Sequence, residues 1–491
     1  MDVFLNWIVN FVQNTRKYQK ISVKTINYKK VAYFFIVFFS TIIISLCFNI
    51  SKIIILNAVF LYYSICLFIK FFFYLKGFLS TDNNQSAFFL NDEINDNTNN
   101  DKIDYAVITS LYKDKSVEIR DSVETFFPIY TILIPMYKEN IYTVTQVVDS
   151  IKKIDYPIAK LDVKLVLEED DVFMKQVIQN VALPGYIDII WCPSFQPKTK
   201  PKACNIASLF ARGDIIVIYD AEDCVDTNQL LNSLNTFSIK KDISITQGCL
   251  SFYNSNQNLL TTCFNIEYLI YFKLFLKQLS SYNITIPLGG TSNHIKYDFL
   301  RKNGFWDSYH VTEDLELSYI SLQNNEKILH LDCDTKEWCV VDIKSFIKQR
   351  VRWMKGYLLT YFLIFFDRHQ YVKCSFIDGI KKQIFYHIMV GYTTLCFLFS
   401  PLMFYEIFSG SMNNDIILLF FFANISYYIS NILSYIYICR KEYMKITPLT
   451  VLGFIFYPLY FILHFISTYI AIIDIIRRPF YWSKTEHKNR Y

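Results

Sequence analysis

Residues 215–223 read Ile-Ile-Val-Ile-Tyr-Asp-Ala-Glu-Asp. Ile215, Ile216, Val217, Ile218 and Tyr219 form a β-rich apolar run of the kind that fills a buried strand, and the run ends abruptly in Asp220, Glu222 and Asp223. In an open parallel α/β sheet, ligands bind at the carboxyl ends of the strands. Clustered hard oxygens at that edge suit Mg2+ or Mn2+ carrying a phosphate. A solvated acidic turn after a strand would look the same in isolation.

The flanking sequence supplies more strand ends of the same kind. Tyr130 to Ile134 is an apolar strand stopped by Pro135 and followed by MYKEN, with Glu139. Leu161 to Leu167 ends in Glu168, Glu169, Asp170 and Asp171, and Tyr186 to Trp191 forms a further strand. Helix-length segments, notably Asn140 to Lys153 and Ala203 to Ala211, lie between them. Strand, helix, strand in this rhythm predicts a doubly wound α/β sheet from Tyr130 to about Ile384. Three acidic strand ends at one edge point to a site where one alone would not.

Four further motifs fall in the same region, and each also has a plainer explanation. KTKPKACN, with Lys202, lies upstream of the strand ending at Asp220 and offers cations to a diphosphate, or is a solvated basic loop. IPLGGTSN, with Gly290, lets backbone approach a ligand closely, or is a tight turn. Thr312, Glu313 and Asp314 open a helical segment; Asp314 is the candidate general base, and an N-cap with acidic first-turn residues is the alternative. In QRVRW, helical spacing puts Gln349 on one face with Arg352 and Trp353, suited to phosphate and sugar, or to a basic aromatic helix at a membrane surface.

Composition places part of the chain in lipid: 53% of its 491 residues are hydrophobic and 18% aromatic. A net charge of +5 is too mild to indicate nucleic-acid binding. The 12 cysteines include no CxxC pair and several lie against apolar runs, which argues against a zinc site or disulfide framework and fits a reducing cytoplasm. Residues 1–30 read as an interfacial amphipathic helix followed by a basic segment. Val31 to Ile50 and Ile53 to Tyr74 read as a transmembrane hairpin with both ends cytoplasmic; residues 80–104 read as a flexible Asn- and Asp-rich linker. Phe385 to Phe408 and Ile416 to Ile438 read as two more spans. Leu449 to Ile476 is expected to break at Pro458 into a re-entrant or interfacial pair, because a single crossing would put Arg477 and Arg478 on the wrong side for their charge.

Taken in order, YKE, EEDD, KPKACN, DAED, PLGGTSN, TED and QRVRW resemble a processive, membrane-embedded family 2 glycosyltransferase, the group of cellulose, hyaluronan and related polysaccharide synthases. The resemblance covers about Tyr130 to Tyr357, and the C-terminal RRPFYWSKTEH looks like the tail of bacterial members. It implies a cytoplasmic GT-A-like (Rossmann-like) glycosyltransferase domain, residues 130–384, set between a membrane region at 1–79 with an entry segment at 80–129 and a second membrane region at 385–491. It implies that Glu139, Glu168 and Asp170 border the nucleoside of the donor and that Lys202 approaches its diphosphate. Asp220 and Glu222 match a metal-holding Asp-x-Asp pattern in which Glu replaces the second Asp, with Asp223 as a substitute ligand. Asp314, beside Glu313, matches the catalytic base, and Gln349, Arg352 and Trp353 match a motif over donor and acceptor.

The implied partners are a nucleotide-sugar donor, Mg2+ or Mn2+, a growing glycan or lipid-linked acceptor and the bilayer, with a partner subunit for export left open and no nucleic acid. The implied reaction is inverting transfer to a β-linked polysaccharide at a bacterial-type cytoplasmic membrane. Two alternatives stand beside it: a transferase adding one sugar to a lipid, and a non-catalytic membrane scaffold.

Overall fold

A computed structural model describes residues 2–14, 23, 31, 49–79, 127–240, 242–366, 376–391, 407–408 and 414–481. The first expected span, the linker at 80–104, most of the span expected over Phe385 to Phe408 and the tail after Tyr481 lie outside the described residues.

Helix α1 (Asp2–Asn14) is followed by α2 (Asn49–Leu79), and the α/β region then opens with β1 (Tyr130–Met136), α3 (Ile141–Lys152), β2 (Leu161–Glu168), α4 (Val172–Gln179), β3 (Ile187–Cys192), α5 (Lys200–Ser208) and β4 (Ile215–Ile218). These four strands are parallel and lie in the order β3-β2-β1-β4. The chain winds outward from β1 to β3 and then returns to the other side of β1. The crevice between the carboxyl ends of β1 and β4 is therefore a topological switch point, the place where an open α/β sheet binds ligands. Burial on both faces explains the largely apolar texture of β1 and β4, while β2, buried along its whole length, carries a paired Asp162 and Lys164.

The sheet is not parallel throughout. After β5 (Cys224–Val225) and α6 (Gln229–Ile239) come β6 (Ile243–Phe252), α7 (Leu259–Ser281), β7 (Asn293–Lys296), α8 (Tyr297–Lys302), α9 (Glu313–Gln323) and β8 (Lys327–Glu337). They complete eight strands in the order β3-β2-β1-β4-β7-β6-β8-β5, with β7 antiparallel to both neighbours. Nor does Pro135 stop β1: the strand runs on to Met136 beyond its last pairing with β4, at Leu133, where a missing N–H breaks no ladder on that side.

Helices α10 (Ile343–Phe366), α11 (Phe376–Ile384), α12 (Asn414–Lys441) and α13 (Pro448–Arg477) follow. Among the described residues four helical segments are long and apolar enough to cross a membrane: Asn57–Leu79, Leu259–Ser281, Asn414–Lys441 and Pro448–Arg477. The second was not expected. It is the most enclosed of them, 67% of its apolar window being buried inside the protein.

One expectation is corrected here, the break at Pro458. Helix α1 packs one face on protein, with Ile8 and Val12 buried, Phe11 edge-on to Phe305 at 5.3 Å and Ser308 Oγ donating to the Val12 carbonyl, while Trp7 is 51% exposed. Pro458 does not break α13. Lacking an N–H, it cannot reach the Phe454 carbonyl one turn back, and Tyr428 Oη of α12 donates to that oxygen at 2.7 Å instead. Tyr428→Phe should therefore cost roughly 1 kcal/mol by stranding that carbonyl. A lowered thermal midpoint in detergent checks it, and an unchanged midpoint would show that α13 holds itself straight.

Candidate functional site

The turn after β4 is closed by its own carboxylates. Asp223 is fully buried; its Oδ2 accepts the Asp220 N–H at 2.7 Å and the Thr291 hydroxyl, while Oδ1 has no hydrogen-bond partner. Burial, then the charge of Asp220, pushes its pKa up to about 8. The Asp220 carboxylate itself faces Lys200 Nζ, which also donates to the Gly290 carbonyl at 2.6 Å. Burial opposes the Lys200 charge, but Asp220 and Glu313 outweigh it and hold the pKa above that of an ordinary lysine. Asp220, Glu222 and Glu337 line one cavity.

Glu337 was missed by sequence reasoning. It ends β8, the same acidic-strand-end signal as Asp220, but the mixed texture of KILHLDCDTKE hides the strand. Burial, then Asp223, Asp220 and Glu222, raises its pKa well above the usual range. These oxygens suit a hard divalent ion, and an unpartnered buried carboxylate oxygen beside them marks a local excess of negative charge. Among the described residues no three His, Cys, Asp or Glu side chains stand close enough to hold such an ion unaided.

Helix phase separates the lysines of KTKPKACN. Thr199 caps α5; Lys200 at its start faces the cavity, whereas Lys202 points into the protein with 0% of its surface exposed. Lys202 pairs with Glu168 at 2.7 Å and reaches the Pro193 and Phe195 carbonyls, so it lies behind Glu168 and does not line the cavity. Glu168 and Glu139 do line it. Asp170 does not: it is held at the surface by Lys198 and by Ser194 Oγ at 2.8 Å. Asp223, expected as a metal ligand, is likewise internal and shapes the turn.

Asp314 approaches from the other wall. It is the second residue of α9, where Thr312 makes no side-chain cap bond. Asp314 Oδ1 accepts the Leu315 N–H at 2.9 Å, and a Cβ added to Gly290 would lie 3.8 Å from Oδ2 and 4.0 Å from Lys200 Nζ. Gly290 thus leaves open the space between candidate base and cation. Burial raises the Asp314 pKa against the pull of Arg352 and Lys200, and burial with the Asp314 charge pushes Glu313 up to about 7.

Helix α10 brings Gln349, Arg352 and Trp353 to the same cavity. Its close crossing depends on Gly356, where a Cβ would meet Thr312 Oγ1 at 2.0 Å. Trp353 stacks on Tyr268 of α7 with centroids 6.2 Å apart and planes 16° from parallel. The neighbouring Arg350, not singled out from sequence, also borders the cavity. Its guanidinium lies 4.4 Å from the Trp353 ring and forms a salt bridge of 2.9 Å with Glu267. The cavity, about 1490 Å3, continues from these residues to Tyr74, Tyr427 and Tyr457 on α2, α12 and α13. Of the aromatics considered in sequence, Tyr428 also lines it, Tyr435 does not, and Tyr392 and Phe404 lie outside the described residues.

The model of glycosyl transferase family group 2 matches residues 215–473, just over half of the chain. A probable glycosyltransferase of Sulfolobus acidocaldarius is 22% identical over 236 residues, 47% of this chain and 50% of the relative; the chain spans about half its length. The probable glycosyltransferase YdaM of Bacillus subtilis is 22% identical over 306 residues, 59% of this chain and 68% of the relative. Among solved structures, the mannosyltransferase PcManGT of Pyrobaculum calidifontis, in complex with GDP-Man and Mn2+, is 12% identical with a TM-score of 0.48, covering 85% of this chain and 99% of that one. Residues 1–349 of S. aureus TarS give 13% identity and a TM-score of 0.36, over 70% and 90%.

Gly356→Ala should force α10 away from Thr312 and lower stability by roughly 1–3 kcal/mol, visible as a reduced thermal midpoint; an unshifted midpoint would mean the crossing relaxes freely. Glu313 binds its proton more tightly folded, about 7, than at its unperturbed value of 4.5, so the native state holds more protons between those values and its stability falls as pH rises through them. Glu313→Gln should flatten that decline in thermal midpoint between about pH 5 and about pH 7. An identical slope in the variant would assign the decline to other groups.

Proposed function

The chain belongs to glycosyl transferase family group 2, and from that membership we propose that it transfers a sugar from a nucleotide-sugar donor to the end of a growing β-linked polysaccharide. The single observation that supports this reading best is the continuous cavity. It joins the acidic edge at Asp220 and Glu222 to Asp314, and both to an aromatic passage between membrane-type helices.

Glu139 and Glu168 border the donor's nucleoside, with Asp170 at the outer rim. Lys200 takes the part that the family resemblance implied for Lys202, a cation for the diphosphate. Asp220 and Glu222 are the residues that would hold Mg2+ or Mn2+, with the donor's phosphates completing the oxygen set; bound there, the ion would offset charge on the leaving diphosphate. Asp314 accepts the proton of the acceptor hydroxyl as that oxygen bonds to the anomeric carbon and the bond from carbon to diphosphate oxygen breaks. Burial, which raises the Asp314 pKa, strengthens it as a base. Attack opposite the leaving group inverts the anomeric centre, so an α-linked donor gives a β linkage. Gln349, Arg352 and Trp353 hold the acceptor end, the indole face suiting a sugar ring.

The catalytic domain, residues 130–384, is cytoplasmic in this reading. Lys76 in the last turn of α2 and Arg440 and Lys441 in the last turn of α12 mark helix ends that adjoin it: Gly77 packs on Leu274, and Glu442 pairs with Lys273. Transfer of one sugar to a lipid acceptor is the second reading, favoured by the same cavity reaching Tyr63 and Asn424 among membrane-type helices.

The test is sugar transfer by the purified protein in detergent with divalent metal, across a panel of labelled nucleotide sugars. One donor should give polymer, and Asp314→Asn should reduce the rate about 100-fold or more with binding of the donor retained. A product of one sugar on a lipid would overturn the polymerase reading, and an Asp314→Asn rate equal to that of the unaltered protein would overturn the assignment of the base.

A further inference from the structure

Helix α13 is 30 residues long and apolar enough to cross a bilayer, with a mean hydropathy of 2.0. Its neighbours describe a different path. Crossing back beside α12, from which only a short turn separates it, would pack the two helices side by side. Contact with α12 is instead sparse, and Tyr428 and Tyr435 make it at Phe454 in the first half of α13. From there α13 runs along two helices of the catalytic domain, first α7 and then α10. The contacts come in sequence: Cys263 Sγ on the Gly453 carbonyl, Tyr460 Oη on Glu267, Phe346 against His464 at 5.7 Å, and Lys355 Nζ on Asp474 at 3.1 Å. Helix α7 is itself tied to the sheet near both ends, by Phe252 on Phe264 and by Ser280 Oγ accepting the His330 N–H. The surface under α13 is therefore the catalytic domain along nearly its whole length.

Side-chain chemistry divides in the same way. The face of α13 turned to the domain is mixed and carries the polar and small residues of the helix, with Thr450, Gly453, His464, Ser467, Thr468 and Asp474 buried beside Tyr457, Tyr460, Ile472 and Ile475. The opposite face is an aliphatic stripe at helical spacing, Val451, Ile455, Leu459, Ile462, Ile466 and Ile470, each at least 40% exposed. Both ends are basic, with Arg440, Lys441 and Lys445 before the helix and Arg477 and Arg478 after it. A single crossing would put one of these clusters on the face that the charge rule disfavours.

We propose that α13 does not cross the membrane but lies along it, as the surface by which the catalytic domain rests on lipid. The aliphatic stripe sits among the acyl chains of the near leaflet, and the two basic ends meet its anionic phosphates on one side. Tyr457 and His464, which line the cavity, come from this helix, so the floor of the cavity is set at the level of that leaflet. The inference is independent of the glycosyl-transfer reading.

The test uses the full chain in sealed vesicles of phosphatidylglycerol and phosphatidylethanolamine, with one epitope tag in the turn at the 93% exposed Tyr443 and another after Tyr491. Both tags should be reached by antibody from the same side, and from the side that exposes a third tag in the open turn at Gly185. Tags on opposite faces would overturn the proposal. Spin labels placed through a non-natural amino acid at Ile455, Ile462 and Ile470 should report one shallow depth; a maximum at Ile462 would mean that the helix dips through the bilayer core, and would also overturn it.

Discussion

The organisation of this protein turns on an excess of carboxylates, buried or half-buried, at one sheet edge. Asp220, Asp223 and Glu337 come from the ends of β4 and β8, while Glu313 and Asp314 come from the start of α9. Burial raises the pKa of four of these five, and the nearby cations are few: Lys200 on one side and Arg352 on the other. Such charge is costly to bury, so the surrounding structure is arranged to hold it. Thr291 and the Asp220 amide fix Asp223, Lys200 spans Asp220 and Gly290, and Gly356 lets α10 close over Thr312. An edge short of positive charge, opening into a cavity, is suited to a ligand that arrives with a cation.

Why the edge lies there was legible in the sequence, because apolar runs ending in acid have one simple interpretation in a doubly wound sheet. The strands β1 to β4 and the grouping of Asp220, Glu222, Gly290, Asp314, Gln349, Arg352 and Trp353 in one cavity agree with that reading. What was hidden depended on information that pattern does not hold. Lys200 and Lys202 differ only in helix phase, and phase was set by where Thr199 capped α5. Glu337 was concealed because β8 lies at the mixed half of the sheet and alternates polar with apolar residues. Pro458 read as a break because the hydroxyl that replaces its missing hydrogen bond comes from another helix, at Tyr428.

The same limit explains the apolar helix α7. Hydropathy alone makes Leu259–Ser281 a candidate span, yet most of its apolar surface is spent on β6, β8 and the helices beyond. Composition shows that a segment must leave water; it does not show whether lipid or protein receives it. The N-terminal helix α1 makes the same point from the other direction, one face docked on the domain around Phe305 and Ser308.

Arg350 connects these two halves. Its guanidinium is enclosed between the Phe264, Phe346 and Trp353 rings, at 4.3, 4.9 and 4.4 Å from their centroids, and is neutralised by Glu267, which also accepts the Tyr460 hydroxyl. Three helices, α7, α10 and α13, therefore meet at a single buried charge pair. Loss of either partner would leave an uncompensated ion in an apolar setting, a larger penalty than the pair's own net contribution. The pair fixes the relation of α10 to α13, and Trp353, stacked between Arg350 and Tyr268, inherits that geometry at the cavity wall. The position of the indole at the site is thus set by α10 and α13 together with the sheet, which reaches it through Phe252 of β6 stacked on Tyr268, so the cavity keeps its shape only while helices and sheet stay in register.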